Sequence, residues 1–116
     1  MRRGGAAGSG IRLALVLLGL AVAPAQAQPD FSDVEVTTTD LGSGLAMLQG
    51  AGGNIGVSTG PDGVFLIDDQ YAPLTERIRA AIRRLTPEPI RFVLNTHWHA
   101  DHTGGNENLG RAGALI

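Results

Sequence analysis

Short apolar runs, separated by glycine-rich turns, recur along the chain between residues 34 and 67. Several of them alternate apolar and polar positions or are rich in β-branched residues, a pattern typical of β-strands. The pattern predicts strands at Val34–Thr39, Leu45–Leu48, Ile55–Thr59 and Val64–Ile67. Residues 50–54 predict a glycine-rich loop, and Gly60-Pro61-Asp62-Gly63 predicts a tight hairpin turn between the last two strands.

The period of the apolar positions changes after residue 69, from that of a strand to that of a helix. One face of this helix carries Leu74, Ile78, Ala81, Ile82 and Leu85. Pro73 suits the first helical turn, and Pro87 and Pro89 prevent continuation. The sequence then predicts a strand at Ile90–Leu94, a helical turn reaching Asn108 and the beginning of another strand at Ala112–Ile116. This order of elements predicts a mixed α/β fold.

The first 27 residues have the three-part order of a secretory signal peptide. Basic residues at Arg2 and Arg3 precede an apolar run at Leu13–Ala23, and Ala25-Gln26-Ala27 provides the small residues of a cleavage site. The apolar run is shorter than the roughly 20 residues that a membrane-spanning helix needs. We therefore expect cleavage after Ala27 and a periplasmic or secreted bacterial protein. The mature chain would comprise an N-terminal segment with the first strand, 28–40, and a domain over 41–116.

Charge and cysteine content restrict the possible partners and ligands. The sequence has nine Lys and Arg residues against eleven Asp and Glu. Three of the nine, Arg2, Arg3 and Arg12, lie in the signal peptide, so the mature chain is about five units negative and has no basic face for nucleic acid. We expect a small-molecule substrate, no nucleic acid and no membrane contact after cleavage; the oligomeric state is open. Because cysteine is absent, a metal site must be built from histidine and carboxylate.

All three histidines of the sequence lie between residues 97 and 102. In an extended segment residues two apart point the same way, so His97 and His99 can converge on one ion. Asp101 and His102 are adjacent and point apart unless the backbone turns, which suits a second ion. Imidazole and carboxylate ligands favour Zn²⁺, with Mn²⁺ or Fe²⁺ as alternatives. Asp101 is the candidate catalytic residue, either as a ligand or as the hydrogen-bond partner of an attacking water.

Neighbouring polar residues are candidates for supporting the ligands. Asp68 ends an apolar strand and either orients a ligating imidazole or caps a turn; Asp69 is interpreted as the cap. Thr96, like Asn95, either hydrogen-bonds the histidine loop or is a plain loop residue. Trp98 is expected to pack into the protein, because it points away from the histidines if the run is extended. Tyr71 is expected to pack against the helix, and Gly104 and Gly105 to let the backbone pass close beneath the metals.

The run from Thr96 to His102, followed by Gly104-Gly105, resembles the H-x-H-x-D-H motif of the metallo-β-lactamase superfamily. The segment from Gly52-Gly53-Asn54 to Asp68 is similar to the strands that precede this motif in the family. The resemblance implies an αβ/βα sandwich of which the chain holds the N-terminal half, truncated at the C-terminus. It implies two zinc ions, with His97 and His99 on the first and Asp101 and His102 on the second. It also implies that a third histidine, a bridging carboxylate and a last histidine come from later strands.

The implied activity is hydrolysis of an ester, thioester, lactone or β-lactam carbonyl by a metal-activated hydroxide. The 116-residue chain would then be an incomplete fragment, and its own activity is open. Two alternatives keep the metal and change the function: a mononuclear iron oxidoreductase on the same fold, and a non-catalytic metal-binding protein.

Overall fold

The structure, a computed structural model, describes Gly4 and residues 29–116. The predicted signal peptide therefore lies outside the described residues. The strands are β1 Thr37–Gly42, β2 Leu45–Gln49, β3 Ile55–Gly60, β4 Gly63–Ile67 and β5 Ile90–Leu94. The helices are α1 Thr75–Leu85, α2 Ala100–Thr103 and α3 Asn106–Arg111, and a 3-10 turn, Ala72–Leu74, leads into α1. Within the described part of the chain, no helix reaches the length and apolarity needed to cross a membrane.

The five strands form one sheet in the order β1-β2-β3-β4-β5. The first four are an antiparallel meander, and Gly60 pairs with Gly63 in the predicted hairpin. The crossover through α1 makes β5 parallel to β4. The strand expected at Ala112–Ile116 is present as a single parallel bridge between Leu115 and Phe92. Since parallel neighbours end at the same edge of a sheet, β4 and β5 deliver their following loops to one place.

The core lies between one face of the sheet and the helices. The inward-facing residues of the strands alternate with exposed ones, as the period-two pattern predicts, and they meet the apolar stripe of α1. The buried apolar residues are Ala46, Leu48, Ile55, Val57, Val64, Leu66, Leu74, Ile78, Ala81, Ile82, Val93, Leu109 and Ala114. Leu85, the last residue of the predicted stripe, is exposed at the end of α1.

The other face of the sheet is apolar and exposed. It carries Leu45, Phe65, Ile67, Phe92 and Leu94, which are 40–57% exposed. The rings of Phe65 and Phe92 lie 6.0 Å apart across the parallel pair. One helical layer on one sheet, with an apolar second face, is the arrangement that the resemblance predicts for half of an αβ/βα sandwich, so the α/β fold prediction is confirmed.

The first strand differs from its prediction. We expected a half-buried strand at Val34–Thr39, but β1 begins at Thr37 and all its residues are exposed. The guanidinium of Arg77 on α1 donates to the carbonyls of Phe31, Ser32 and Val34. These hydrogen bonds hold the preceding segment against the helix, and β1 is left at the edge of the sheet.

Candidate metal centre

The predicted site residues gather where β4 and β5 end. Asp68 directly follows β4, and its backbone N–H donates to the carbonyl of Leu94 at the end of β5 (2.9 Å). Asp68 has a φ of 66°, in the left-handed region that non-glycine residues rarely adopt. This turn directs its carboxylate towards the loop that contains the histidines.

The histidine run itself is not extended, so the predicted strand-like alternation is wrong. Residues 96–99 form bends, and α2 begins immediately afterwards at Ala100. The backbone N–H of His102 donates to the carbonyl of His99 (2.9 Å). Asp101 and His102 therefore lie on a helical turn, which removes the need for their side chains to point apart.

The bends nevertheless bring the four predicted ligands together as two pairs. His97 Nε2 lies 3.1 Å from His99 Nδ1, and Asp101 Oδ2 lies 3.2 Å from His102 Nε2. The rings of His97 and His102 are 4.0 Å apart, which places the pairs side by side. Two ligands of a tetrahedral Zn²⁺, at about 2.0–2.1 Å from the metal, are about 3.3 Å from each other. Each pair therefore suits two corners of a zinc site. Within residues 29–116, no group of three such side chains could hold an ion.

Hydrogen bonds determine which ring nitrogen of His97 carries the proton. Thr96 Oγ1 lies 2.8 Å from Asp68 Oδ2 and 3.0 Å from His97 Nδ1. A hydroxyl has one proton, and the carboxylate only accepts, so the Thr96 hydroxyl donates to Asp68 and accepts from His97 Nδ1–H. The Nε2 lone pair of His97 is then free and faces His99 Nδ1, where a metal ion or a proton must separate the two nitrogens.

Asp68 holds His102 in the same way. Its Oδ2 lies 2.6 Å from His102 Nδ1, and its Oδ1 accepts from the backbone N–H of Thr96 at 2.7 Å. Burial raises the pKa of Asp68, but the hydrogen bonds from His102 and Thr96 outweigh burial and hold the pKa below its ordinary value. The hydrogen bond to Asp68 in turn raises the pKa of His102. Of the two interpretations left open for Asp68, the contacts favour orientation of an imidazole over a cap.

Asp69 is not the helix cap that we expected. It is completely buried, its backbone N–H donates to the carbonyl of His102, and its Oδ1 accepts from the N–H of Gly105 at 3.0 Å. Its Oδ2 has no partner among the described residues. Burial raises the pKa of Asp69 to about 6. This carboxylate supports the chain beneath the histidine run.

The segment after His102 is held by the residues around it. Asn95 Nδ2 donates to the carbonyl of His102 at 2.9 Å and Asn106 Nδ2 donates to Asn95 Oδ1 at 2.7 Å, so Asn95 does hydrogen-bond the loop. A Cβ at Gly104 would lie 2.7 Å from the carbonyl oxygen of Gln70, and one at Gly105 would lie 2.9 Å from Asp69 Cγ. These glycines allow close approach to Asp69 and Gln70, whereas we expected close approach to the metals.

Of the two aromatic side chains predicted to pack into the protein, Tyr71 is half-buried and Trp98 is exposed. Tyr71 is half-buried against the core, as expected, but its ring packs against Phe31 of the N-terminal segment, with ring centroids 4.8 Å apart, whereas we expected contact with the helix. Trp98 is 83% exposed, so the prediction that it packs inward is wrong. Its ring touches only the edge of His99 among the described aromatic rings, with centroids 4.6 Å apart. The bends at residues 96–99 turn the indole to solvent.

Sequence reasoning missed the wall of the site that faces Asp101 and His102. A Cβ at Gly52 would lie 2.6 Å from Asp101 Cβ, and one at Gly53 would lie 2.6 Å from His102 Cε1. Gln70, completely buried, also contacts this loop. The paired glycines were a signal for close approach, but nothing in the sequence indicated what they approach.

Comparison with known proteins agrees with this architecture. The sequence profile described as the metallo-beta-lactamase superfamily matches residues 48–115, more than half of the chain. A curated relative, Lactamase-like protein vrtG of Penicillium aethiopicum, is 33% identical over 66 residues, which are 57% of this chain and 21% of the relative. The chain thus spans about a fifth of that curated relative.

Solved structures of metallo-beta-lactamases are similar to the described fold. FIM-1 from Pseudomonas aeruginosa, in its mono-zinc form, has a TM-score of 0.63 at 28% identity, covering 77% of this chain and 43% of that one. MIM-1 from Novosphingobium pentaromativorans has a TM-score of 0.57 at 32% identity, covering 63% of this chain and 28% of that one. The chain belongs to the metallo-β-lactamase superfamily.

Proposed function

We propose that this chain carries four metal ligands of a zinc-dependent hydrolase. His97 and His99 would bind one ion, and Asp101 and His102 a second. The observation that carries the proposal is the pair of donor separations, 3.1 and 3.2 Å, at the sheet edge where β4 and β5 end. The mono-zinc form of the similar FIM-1 structure supports zinc as the metal.

The surrounding residues would prepare these ligands before a metal arrives. Asp68 accepts the Nδ1 proton of His102, and the Thr96 hydroxyl accepts that of His97, so Nε2 is the atom of each ring that would bind a metal. The proton that lies between His102 Nε2 and Asp101 Oδ2 in the metal-free chain would leave when the ion binds. Hydrogen bonds of this kind orient ligating imidazoles and increase their basicity. The two positioning residues predicted from the sequence thus act on one histidine of each pair.

The chemistry would be attack of water on a carbonyl group. Bound zinc lowers the pKa of a coordinated water to about 7, which supplies hydroxide near neutral pH. Asp101, with one carboxylate oxygen beside His102 Nε2, is the proposed catalytic residue and would accept a hydrogen bond from the attacking water. The substrate would be a small molecule with an ester, thioester, lactone or β-lactam carbonyl, and not a nucleic acid.

We further propose that hydrolysis requires ligands beyond those in this sequence. Each ion would have two ligands from this chain, whereas a catalytic zinc site has three protein ligands and an open position. The similar structures are more than twice as long as the part of them that this chain covers, which leaves ample chain for the others. The proposed setting is the bacterial periplasm or the exterior, after removal of residues 1–27.

A non-catalytic metal-binding protein is the second candidate. It is favoured by the lack, within the described residues, of any group of three potential ligands around one point. Such a protein would take up metal through the same four side chains but would not hydrolyse any of the proposed substrates.

Zinc uptake tests the proposal directly. Purified mature chain should contain zinc by elemental analysis, and the double variant His97→Ala/His99→Ala should lose the zinc at the first pair. Trp98→Phe, in the same segment but with no ligating atom, serves as the control and should keep it. Unchanged zinc in the double variant would refute the ligand assignment, and iron in place of zinc would favour an oxidoreductase. A chromogenic cephalosporin and a thioester, assayed with the longest available form of the protein, would separate the hydrolase from the metal-binding protein.

A further inference from the structure

Gln70 is a buried polar residue with an unusual backbone conformation. It is completely buried and has a φ of 56°, in the left-handed region that glycine and asparagine occupy more readily than glutamine. It follows Asp68 and Asp69 and precedes the 3-10 turn at Ala72. A long amide side chain in this place costs desolvation and rotamer freedom, so its contacts must offset these costs.

The side chain and the main chain of Gln70 each form a hydrogen bond to a segment beside the Asp101–His102 pair. The side-chain Nε2 donates a hydrogen bond to the carbonyl of Gly53. The main-chain carbonyl accepts from the N–H of Gly105 at 3.2 Å, three residues after His102. Gln70 therefore connects the loop before the pair with the segment after it.

The loop held by Gln70 lies directly against the pair. The Cα of Gly53 faces the ring of His102, because a Cβ there would lie 2.6 Å from Cε1 and 3.0 Å from Nε2. Gly52 faces Asp101 in the same way. Asp68 holds Nδ1 of the His102 ring, and Gly53 lies against the Cε1 atom between the two ring nitrogens.

The orientation of the Gln70 amide follows from its surroundings. Exchange of Nε2 and Oε1 would bring two oxygens together at Gly53, so the nitrogen must face that carbonyl. The oxygen then lies beside Gly50, where a Cβ would be 2.6 Å from it. Within the described residues this oxygen has no hydrogen-bond partner, which leaves the Gly53 hydrogen bond as the side chain's one polar attachment.

We infer that Gln70 is a positioning residue, which presses the glycine loop 50–53 against Asp101 and His102 and so sets the geometry of the second ligand pair. Glycine-rich loops have high conformational freedom, and without the attachment this loop would leave the His102 ring held from one side. The consequence for metal binding rests on the proposed function; the contact between Gly53 and His102 does not depend on it.

The test compares Gln70→Met with Gln49→Met. Methionine keeps the length of the side chain but removes the donor, and Gln49 is an exposed glutamine on β2. In metal-free protein, NMR should show a nuclear Overhauser effect between a Gly53 α-proton and the His102 ring proton at Cε1. We expect this signal in the wild type and in Gln49→Met, and its loss in Gln70→Met.

Cobalt titration of the same proteins provides the metal readout. In Gln70→Met we expect the paramagnetic shift of the His102 ring protons to require at least about tenfold more Co²⁺, in line with the effect of removing residues that orient ligands. In Gln49→Met the midpoint should equal that of the wild type. If the wild type shows the Gly53–His102 signal but binds no Co²⁺, the proposed function fails while the contact inference stands.

A second variant covers the case in which Gln70→Met does not fold. Gly53→Ala leaves Gln70 intact and places a methyl group against the His102 ring, so it should shift the His102 resonances and weaken Co²⁺ binding at this pair. Retention of the Gly53–His102 signal in folded Gln70→Met would overturn the inference. Wild-type His102 resonances in Gly53→Ala would overturn it as well.

Discussion

Replacement of Asp69 with asparagine removes a negative charge from a completely buried side chain. In the native chain one carboxylate oxygen accepts from the N–H of Gly105 and the other has no partner within the described residues. The asparagine side chain would keep the first hydrogen bond through its amide oxygen. The substitution therefore changes the charge at this position with little change in shape.

The expected effect follows from the raised pKa of Asp69. Burial is its main cause, aided by the nearby charge of Asp68 and opposed by the Gly105 hydrogen bond, and the pKa rises from 3.8 to about 6. At about 1.4 kcal/mol per pKa unit, ionisation of Asp69 costs about 3 kcal/mol of folding stability. The folded state binds this proton more tightly than the unfolded state. The stability contribution is thus fully present below pH 3.8, is lost as pH rises to about 6, and is constant above that.

Urea unfolding followed by far-ultraviolet circular dichroism between pH 4 and pH 7 measures this effect. The difference in unfolding free energy between Asp69→Asn and the wild type should move by about 2.4 kcal/mol in favour of the variant across that range, because the rest of the change falls below pH 4. Asp68 and His102, whose pKa values are also shifted, are present in both proteins, so their contributions to the pH dependence largely cancel in the difference. Asp62→Asn, in an exposed turn, should follow the wild type. Parallel curves for Asp69→Asn and the wild type would refute the assignment of a buried, ionising carboxylate.

Asp68→Asn should weaken zinc binding about 10–100-fold, measured by competition with a chromophoric chelator. The backbone N–H of Thr96 would keep its hydrogen bond to the oxygen of the new amide, so the NH₂ group would face His102 Nδ1. Nδ1 would then have to accept a hydrogen bond, which moves the ring proton to Nε2. Unchanged zinc affinity would contradict this reasoning. Arg77→Ala should destabilise the fold by about 1 kcal/mol, because its hydrogen bonds are exposed to solvent, and should speed amide exchange over residues 31–36. Arg83→Ala, at another exposed position of α1, should do neither. Leu66→Ala, at a completely buried position, should cost about 2–5 kcal/mol in urea unfolding; a loss below about 1 kcal/mol would contradict its central place in the core.

The sequence was sufficient for most of the fold because local patterns determine it. The β-branched runs, the Pro61-Asp62 turn and the stripe on α1 predict β2–β5 and α1 to within a few residues. The start of β1 was misplaced, because Arg77, more than 40 residues away, takes the carbonyls of the preceding segment. Such a contact leaves no local pattern.

The candidate site was predictable in its residue types and less so in its conformation. Four potential ligands within six residues predict a metal site, but the bends that bring His97 and His99 together are held by Asp68, whose left-handed backbone has no signal in its residue type. The roles of Asp69 and Gln70 were missed for the same reason. Their polar side chains resemble those of a surface turn, and only the packing of α3 and the glycine loop shows that they are buried.

The meander of β1 to β4, followed by the parallel crossover through α1, has a consequence for the order of folding. Hairpin contacts join residues close in sequence and form early, whereas pairing of β5 with β4 needs closure of a longer loop that includes α1. All four candidate ligands follow β5. Gln70, which holds the glycine loop beside two of them, lies at the start of that crossover, between β4 and α1. We expect the hairpins to be protected from hydrogen exchange before the ligand loop is, so that metal would bind during the last stage of folding and stabilise the slowest-forming part of the chain.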